Sequence, residues 1–303
     1  MNSTRLLPTI LCVLFFFPAA SEASNQLPAT NAPIIVVALE NESYLDVVGS
    51  PYMPYYNGLI TQYGLATQFY ANVHGSFPDY AMLTTGELIT SAGWGLPGDF
   101  PISIDNIVRE MVKAAKTWRV YAENLPWVGY TGGDSYPYVK RHNPFAYMTD
   151  VVGKSQANNL VPFTQWTTDL AANALPNFSF VVPNVQHDGN ECPGGGQNCA
   201  NSAKLSAVDQ WLQTNVTAVF QNPAFQKGGV LILWWDEGDS SDKAHVGGQV
   251  AVVFAGPNIK PGYMSTTFYR HEHLLRTIVE LLGINAPGCT VYVPSMAEFF
   301  VGH

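Results

Sequence analysis

The chain has 303 residues, of which 14 are basic and 23 acidic, so its formal net charge at pH 7 is −9. This acidic balance argues against sequence-independent nucleic-acid binding, which needs lysine and arginine to replace phosphate counterions. It leaves small phosphate substrates open, because a bound cation supplies positive charge locally. The length suits one large α/β domain or two small ones.

The first 23 residues have the composition of a secretory signal peptide. Arg5 precedes an apolar run that ends at Phe17, and the small residues around Ser21–Ala23 resemble a cleavage site. We therefore expect a secreted or periplasmic protein whose residues 24–303 form a single domain. No other stretch is apolar and long enough to cross a bilayer, so no stable membrane insertion is expected.

Apolar runs alternate with amphipathic segments along the rest of the chain. In chain order we predict a strand at PIIVVALE (33–40), a helix at DNIVREMVKAAKTW (105–118), strands at RVYAE (119–123) and FSFVVPN (178–184), a helix at SAKLSAVDQWLQTNVTAVF (202–220), strands at GGVLILWWDE (228–237) and GGQVAVVFAG (247–256), and a helix at HEHLLRTIVELLG (271–283). Ser103 or Asp105 is expected to cap the first helix. The alternation predicts an α/β fold with three layers, a mostly parallel central sheet between helices. Segment 124–150, rich in Tyr, Pro and Gly, is predicted to form a lid or pocket wall rather than core.

Cys192 and Cys199 bracket the flexible run PGGGQN. In an oxidising compartment we expect them to form a disulfide, the alternative being two thiols in a loop. The sequence does not identify a partner for Cys289. No CxxC pair of the kind that binds structural zinc is present in the sequence.

Acidic and amide side chains lie at or soon after the ends of three of the predicted strands, at Glu40-Asn41, at Asp188 and at Asp236-Glu237. Because parallel strands end at the same edge of a sheet, these side chains are expected to lie close together. Carboxylates gathered there repel one another unless a cation or protons neutralise them. Each residue alone is equally explained as a turn or helix cap, so a metal site and a structural role both stay open.

Ser76 lies in the stretch HGSFPDYAMLTTG (74–86), where an apolar helix is about to begin. One interpretation is a helix cap. A lipase-like nucleophile is a second, but the GxSxG pattern fails here. The third is a nucleophile activated by a metal at the start of a helix, whose N–H groups would hold phosphate oxygens.

Eight blocks of sequence occur in the order of one known family. The blocks are VVALENESYLDVVG, HGSFPDYAMLTTG, WRVYAENLP, KRHNPFAY, FVVPNVQHDG, ILWWDEGD, HVGGQVAVVFAGPNIKPG and YRHEHLLRTIVELLGI. Between Ile34 and Ile284 the chain therefore resembles the phosphoesterase family of acid phosphatases and bacterial phospholipases C, within the alkaline phosphatase superfamily. The resemblance implies an alkaline-phosphatase-like fold and a serine or threonine nucleophile next to a metal.

The resemblance also implies a metal site. Glu40 and Asn41 match the family's first metal-binding pair, Ser76 matches the nucleophile, and Asp236-Glu237 match the acidic pair of the WDE block. These ligands offer oxygen only, which suits Ca²⁺, Mg²⁺ or Mn²⁺ better than zinc.

Histidines are the second part of the implied site. His142 and His245 match family histidines and are expected to contact the phosphate or to protonate the leaving group. His187 or Asp188, together with His245, would form either a second, more zinc-like metal position or metal-free phosphate contacts. The chain departs from the family at Asp79, where asparagine is usual, and after Asp188, which is not followed by the usual histidine two residues later. Asp79, His187 and Asp188 are nevertheless expected to bind phosphate.

The sequence therefore predicts a secreted, metal-dependent phosphoesterase, acid-phosphatase-like, that hydrolyses phosphate monoesters through a phosphoseryl intermediate on Ser76. A phospholipase C-type diesterase is the enzymatic alternative, and a non-catalytic phosphate- or sugar-binding protein is the alternative of another class. A small phosphate ester is the expected partner, with no nucleic acid and no obligate protein partner.

Overall fold

The computed structural model describes residues 26–89 and 101–303, and the predicted signal peptide lies outside the described residues. The strands are β1 (Ile34–Leu39), β2 (Gly64–Tyr70), β3 (Trp118–Ala122), β4 (Leu160–Pro162), β5 (Phe178–Val182), β6 (Val230–Trp235), β7 (Gln249–Ala255) and β8 (Tyr263–Ser265). The helices are α1 (Tyr44–Val47), α2 (Pro54–Gln62), α3 (Ser76–Thr85), α4 (Ile107–Lys113), α5 (Thr164–Ala171), α6 (Asn201–Val216) and α7 (His271–Leu282). Short 3₁₀ helices cover Lys140–His142, Pro144–Tyr147, Ser155–Asn159, Thr217–Gln221, Phe225–Lys227, Gly288–Tyr292 and Ala297–Phe299.

The strands form one sheet in the order β4-β3-β5-β1-β6-β7-β2-β8. In the described part of the chain, β7 alone runs against the others, because it pairs antiparallel with both β6 and β2. The remaining pairs are parallel. The prediction of a mostly parallel sheet is confirmed, and the strands on either side of β1 end at the same edge.

Helices cover both faces of this sheet. Trp234 and Trp235 are neighbours on β6, so their side chains point to opposite faces. The ring of Trp234 packs on the rings of Tyr80 in α3 and His271 in α7, with centroids 4.9 Å and 5.1 Å apart. The ring of Trp235 contacts Tyr56 of α2 at 6.3 Å. The predicted three-layer α/β/α architecture is confirmed, with α3 and α7 on one side and α2, packed on α6, on the other.

Two local predictions were wrong. Helix α4 is capped by Asn106, whose side chain accepts a hydrogen bond from the N–H of Arg109 at 3.0 Å, and not by Ser103 or Asp105. Segment 124–150 contributes to the core, because Phe145 is fully buried and packs on Trp118 at 5.5 Å.

The predicted disulfide is confirmed, since Cys192 and Cys199 are bonded. Within residues 26–89 and 101–303, none of the helices combines the length and apolar character required to span a bilayer.

Candidate active site

The loop between β2 and α3 brings Ser76 to the edge where β1 and β6 end. Ser76 is the first residue of α3. Gly75 precedes it with φ at 130°, a conformation that glycine adopts without steric cost. The N–H of Gly75 donates to Glu237 Oε2 at 2.7 Å, which ties the loop to the end of β6.

The hydroxyl of Ser76 lies between two carboxylates from distant parts of the sequence. Ser76 Oγ donates to Glu40 Oε2 at 2.8 Å and is 3.4 Å from Glu237 Oε1. Ser76 is largely buried at 9% exposure, so its oxygen is held in place within a small acidic group. The sequence-predicted residues Glu40, Ser76 and Glu237 are therefore in direct contact.

Asp236 links the two strand ends. Its Oδ1 accepts from the N–H of Asn41 at 3.1 Å and from the N–H of Glu237 at 2.7 Å. Its Oδ2 is buried without a hydrogen-bond partner among the described residues. Burial first, and then the nearby carboxylate of Glu40, hold the pKa of Asp236 well above its usual range. Such a site favours a proton or a cation as its neutralising charge.

His142 lies next to the oxygen of Glu40 that Ser76 does not contact. His142 Nδ1 is 3.0 Å from Asp188 Oδ2, and His142 Nε2 is 3.2 Å from Glu40 Oε1. The Glu40–His142 contact lacks hydrogen-bond geometry, and both atoms have no partner among the described residues. Burial lowers the pKa of His142 to about 4. A ring at 1% exposure is out of reach of a leaving group at the surface.

The unpartnered buried atoms test whether the site suits a metal. Glu40 Oε1, Asp236 Oδ2 and His142 Nε2 are potential ligands that no described residue satisfies. Within the described ranges, Glu40, His142 and Asp188 form a group of three residues that each offer one ligand atom, and these atoms lie within 4.8 Å of one another. The site fits a divalent cation, but the closest ligand group contains a nitrogen that the oxygen-only prediction did not include.

Asp79 is fully buried under the loop that leads to Ser76. Its Oδ1 accepts from the N–H of Asn72 at 3.1 Å and of Val73 at 3.3 Å. His271 Nε2 donates to the Asp236 carbonyl at 2.7 Å and also lies 3.2 Å from Asp79 Oδ1. Burial holds the pKa of Asp79 well above its usual range. In this position Asp79 braces the loop through its hydrogen bonds to the backbone.

Two histidines of the site were missed by sequence reasoning. His74 Nδ1 is 3.0 Å from Glu237 Oε2, and its Nε2 is 2.7 Å from the Asp242 carbonyl. His74 is two residues before Ser76, and this proximity was a usable signal. His271 lies in the family block YRHEHLLRTIVELLGI, but its partners on β6 and α3 are distant in sequence, so local spacing did not indicate its role.

His187 and His245 lie apart from this cluster. His187 Nδ1 is 2.9 Å from Glu123 Oε2. His245 is exposed, and its ring packs on Tyr70 at 4.2 Å. Among the hydrogen bonds and ion pairs of the described residues, none joins either ring to Ser76 or to the carboxylates around it.

Comparisons with known proteins identify the family of the chain. The model of the Phosphoesterase family matches residues 44–285, which include Ser76, Asp236 and Glu237. Phosphatidylinositol-3-phosphatase of Mycobacterium tuberculosis is 27% identical over 285 residues, covering 93% of this chain and 87% of the relative. An acid phosphatase of Aspergillus fumigatus is 26% identical over 264 residues, covering 83% of this chain. The chain spans 55% of that fungal relative's length.

Solved structures share the fold. A protein of the alkaline phosphatase superfamily from Vibrio parahaemolyticus superposes with a TM-score of 0.61 at 14% identity, covering 90% of this chain and 72% of that one. The lipoteichoic acid synthase LtaP from Listeria monocytogenes gives a TM-score of 0.60 at 12% identity, covering 85% and 73%. The predicted alkaline-phosphatase-like fold is confirmed.

Proposed function

Because the chain belongs to the phosphoesterase family, we propose that it is a metal-dependent hydrolase of phosphate monoesters with Ser76 as its nucleophile. The family confirms the prediction of an enzyme that acts on phosphoric esters. The nucleophile and the monoester preference are our proposal. The observation that carries it is the hydroxyl of Ser76, held 2.8 Å from Glu40 at the first residue of a helix.

The geometry suits attack by the serine oxygen on phosphorus. As the bond from Ser76 Oγ to phosphorus forms, the bond to the leaving oxygen breaks on the opposite side. Glu40 Oε2 already accepts the hydroxyl hydrogen bond, so it is the atom that takes the proton. The N–H groups of Ser76 and Phe77, at the start of α3, have no partner within the helix and would hold phosphoryl oxygens. Water then cleaves the phosphoseryl ester and restores the hydroxyl.

A divalent cation at this site would be held by Glu40, Asn41, Ser76, Asp236 and Glu237. When bound, it would supply a Lewis acid that stabilises negative charge on the serine and phosphoryl oxygens. The buried, unpartnered oxygens of Glu40 and Asp236 support this assignment.

We assign protonation of the leaving oxygen to His245 rather than to His142. His245 is exposed, whereas His142 is buried at 1% exposure. The segment that carries His245 is held in an unusual backbone conformation, with φ at 48° for His245 and 84° for Val246. Arg270 supports it by donating to the His245 carbonyl at 2.9 Å. Strained backbone of this kind recurs at functional sites. The phosphate contacts predicted from sequence for His187 and Asp188 are not part of the proposal, because His187 Nδ1 pairs with Glu123 and both carboxylate oxygens of the buried Asp188 are engaged by Asn190 and His142.

We also propose that the enzyme acts outside the cytoplasm. The disulfide between Cys192 and Cys199 supports this proposal, because such bonds persist in oxidising compartments.

The test compares three chromogenic esters, with and without a chelator. p-Nitrophenyl phosphate is the monoester, p-nitrophenyl phosphorylcholine the phospholipase C substrate, and bis(p-nitrophenyl) phosphate the simple diester. We expect the monoester to be hydrolysed fastest and the chelator to abolish turnover. Ser76→Ala should lower kcat by at least about 10³-fold, because the variant has no nucleophile for covalent catalysis.

Ser155→Ala, in an exposed 3₁₀ helix, is the matched control and should keep full activity. Full activity of Ser76→Ala would refute the nucleophile. Faster hydrolysis of the phosphorylcholine ester would favour the phospholipase C alternative, and inactivity on all three esters with added metals would favour a binding protein.

A further inference from the structure

Glu40 uses its two oxygens differently. Its Oε2 accepts from Ser76 Oγ at 2.8 Å and from Asn41 Nδ2 at 3.1 Å. Its Oε1 faces His142 Nε2 at 3.2 Å, and the geometry of that contact is not that of a hydrogen bond. Both atoms are buried, with Glu40 at 0% and His142 at 1% exposure. A buried polar atom without a partner is costly and calls for a missing group.

The other nitrogen of the His142 ring identifies that group. His142 Nδ1 is 3.0 Å from Asp188 Oδ2, and a carboxylate oxygen accepts, so Nδ1 carries the hydrogen. In the neutral ring Nε2 then carries a lone pair and lies 3.2 Å from Glu40 Oε1, which also has lone pairs. Two acceptors facing each other at this distance repel unless a positive charge lies between them.

The separation suits two ligands of one ion. Nitrogen and carboxylate ligands lie about 2.0–2.2 Å from transition metals, so two of them at roughly a right to tetrahedral angle are about 3.0–3.5 Å apart. The 3.2 Å between Glu40 Oε1 and His142 Nε2 falls within that interval.

Asp188 and Tyr80 fix the ring that would bind. Histidines that ligate metals usually donate their other N–H to a carboxylate, and Asp188 is such a carboxylate. Asp188 is itself anchored, because its Oδ1 accepts from the N–H of Asn190 at 2.8 Å and its carbonyl accepts from the N–H of Glu40 at 2.8 Å. The ring of Tyr80 stacks on His142 with centroids 5.7 Å apart and planes 8° apart.

We propose that His142 is a nitrogen ligand, through Nε2, of the cation held at Glu40, and that Asp188 positions its ring. The proposal rests on the metal-dependent function above and changes its ligand chemistry. An imidazole nitrogen among the ligands makes the site suit Zn²⁺ better than the oxygen-only set predicted from sequence does, and Mn²⁺ serves as a paramagnetic probe of the site.

The experiment uses Mn²⁺ alone, bound to the full-length protein without substrate. Electron spin echo envelope modulation detects a ¹⁴N nucleus bonded to Mn²⁺. We expect ¹⁴N modulation in the wild type, its loss in His142→Ala, and its retention in the control His303→Ala. Mn²⁺ affinity measured by calorimetry should fall by at least about tenfold in His142→Ala. Circular dichroism and thermal melting establish that each variant is folded.

Asp188→Asn keeps the proposal falsifiable if His142→Ala does not fold. This variant should keep the ¹⁴N modulation but bind Mn²⁺ roughly 10–100-fold more weakly, because the ring loses its orienting carboxylate. Absence of ¹⁴N modulation in the wild type, its persistence in folded His142→Ala, or unchanged Mn²⁺ affinity in Asp188→Asn would each overturn the proposal.

The two proposals fail separately. An enzyme that needs Ser76 and metal but shows no ¹⁴N modulation would refute only the role of His142. A protein whose ¹⁴N modulation depends on His142 but which hydrolyses esters without Ser76 would refute the nucleophile and leave the ligand assignment intact.

Discussion

Two regions to which the proposal assigns roles in catalysis differ in exposure. The inner side is the group Glu40, His142 and Asp188, all at 1% exposure or less. The outer side is the segment 242–248, in which His245 and Val246 are exposed. Charges interact strongly in a buried site and weakly in water. Substitutions on the inner side are therefore expected to alter cation binding and the chemical step. Substitutions on the outer side are expected to alter how strongly the rate depends on the leaving group.

The largest effect is expected from Glu40→Gln on the inner side. The amide keeps the volume but loses the charge that faces Ser76 Oγ at 2.8 Å and the contact with His142 Nε2 at 3.2 Å. We expect kcat for p-nitrophenyl phosphate to fall by about 10³-fold or more, as when a central electrostatic group is lost. Steady-state kinetics at saturating Mn²⁺ measures this fall. Glu272→Gln on α7 provides a carboxylate-to-amide control. A fall in kcat of less than tenfold in Glu40→Gln would contradict a role for Glu40 in the reaction.

A smaller and more selective effect is expected from His245→Asn on the outer side. Asparagine tolerates the positive φ of this position, so the backbone should be preserved. An alkyl phosphate, with a poor leaving group, should lose about 10²-fold or more in kcat, as is typical for loss of a general acid. p-Nitrophenyl phosphate, whose leaving group needs no proton, should change little. Equal losses on both substrates would contradict the assignment of His245 as the acid.

The smallest effect is expected at Glu42, two residues after Glu40, and concerns the pH dependence of the protein's stability. Glu42 Oε2 accepts from Asn201 Nδ2 at 2.7 Å, and burial raises the pKa of this carboxyl from 4.5 to about 7. Because the folded pKa lies above the unfolded one, the stability that Glu42 contributes is complete below pH 4.5 and is lost as the pH rises to 7.

Glu42→Gln should therefore melt at a higher temperature than the wild type at pH 8 and show no such gain at pH 4. Each 1 kcal/mol gained in the free energy of unfolding should raise the melting temperature by roughly 2–4 °C. Melting curves of both proteins at the two pH values provide the measurement. A gain that is the same at pH 4 and pH 8 would show that ionisation of Glu42 is not its cause.

The sequence predicted the parts of the fold and site that depend on local pattern. Uninterrupted apolar runs predicted β1 and β6, and the polar residues directly after them are Glu40 and Asp236. Strand β2 escaped prediction because Thr67 and Gln68 interrupt its apolar residues, and its register with β7 shifts between Ala66 and Phe69.

The environment of the histidines could not be predicted in the same way. His142 belongs to a segment whose aromatic residues resembled a lid, but these residues pack into the core and carry His142 under Glu40. Its two partners come from the ends of β1 and β5, so its role depends on the order of strands in the sheet. The HVGG block identified His245, but not the two consecutive positive φ angles that hold it at the surface.

The paired tryptophans at the end of β6 have a practical consequence. Trp234 Nε1 donates to His271 Nδ1 at 3.0 Å, and His271 Nε2 donates to the Asp236 carbonyl at 2.7 Å. An indole is thus connected through one imidazole to the backbone of the residue with the unsatisfied carboxylate oxygen. The enzyme carries its own optical reporter, and titration of Mn²⁺ or phosphate followed by intrinsic fluorescence should read out occupancy without any label.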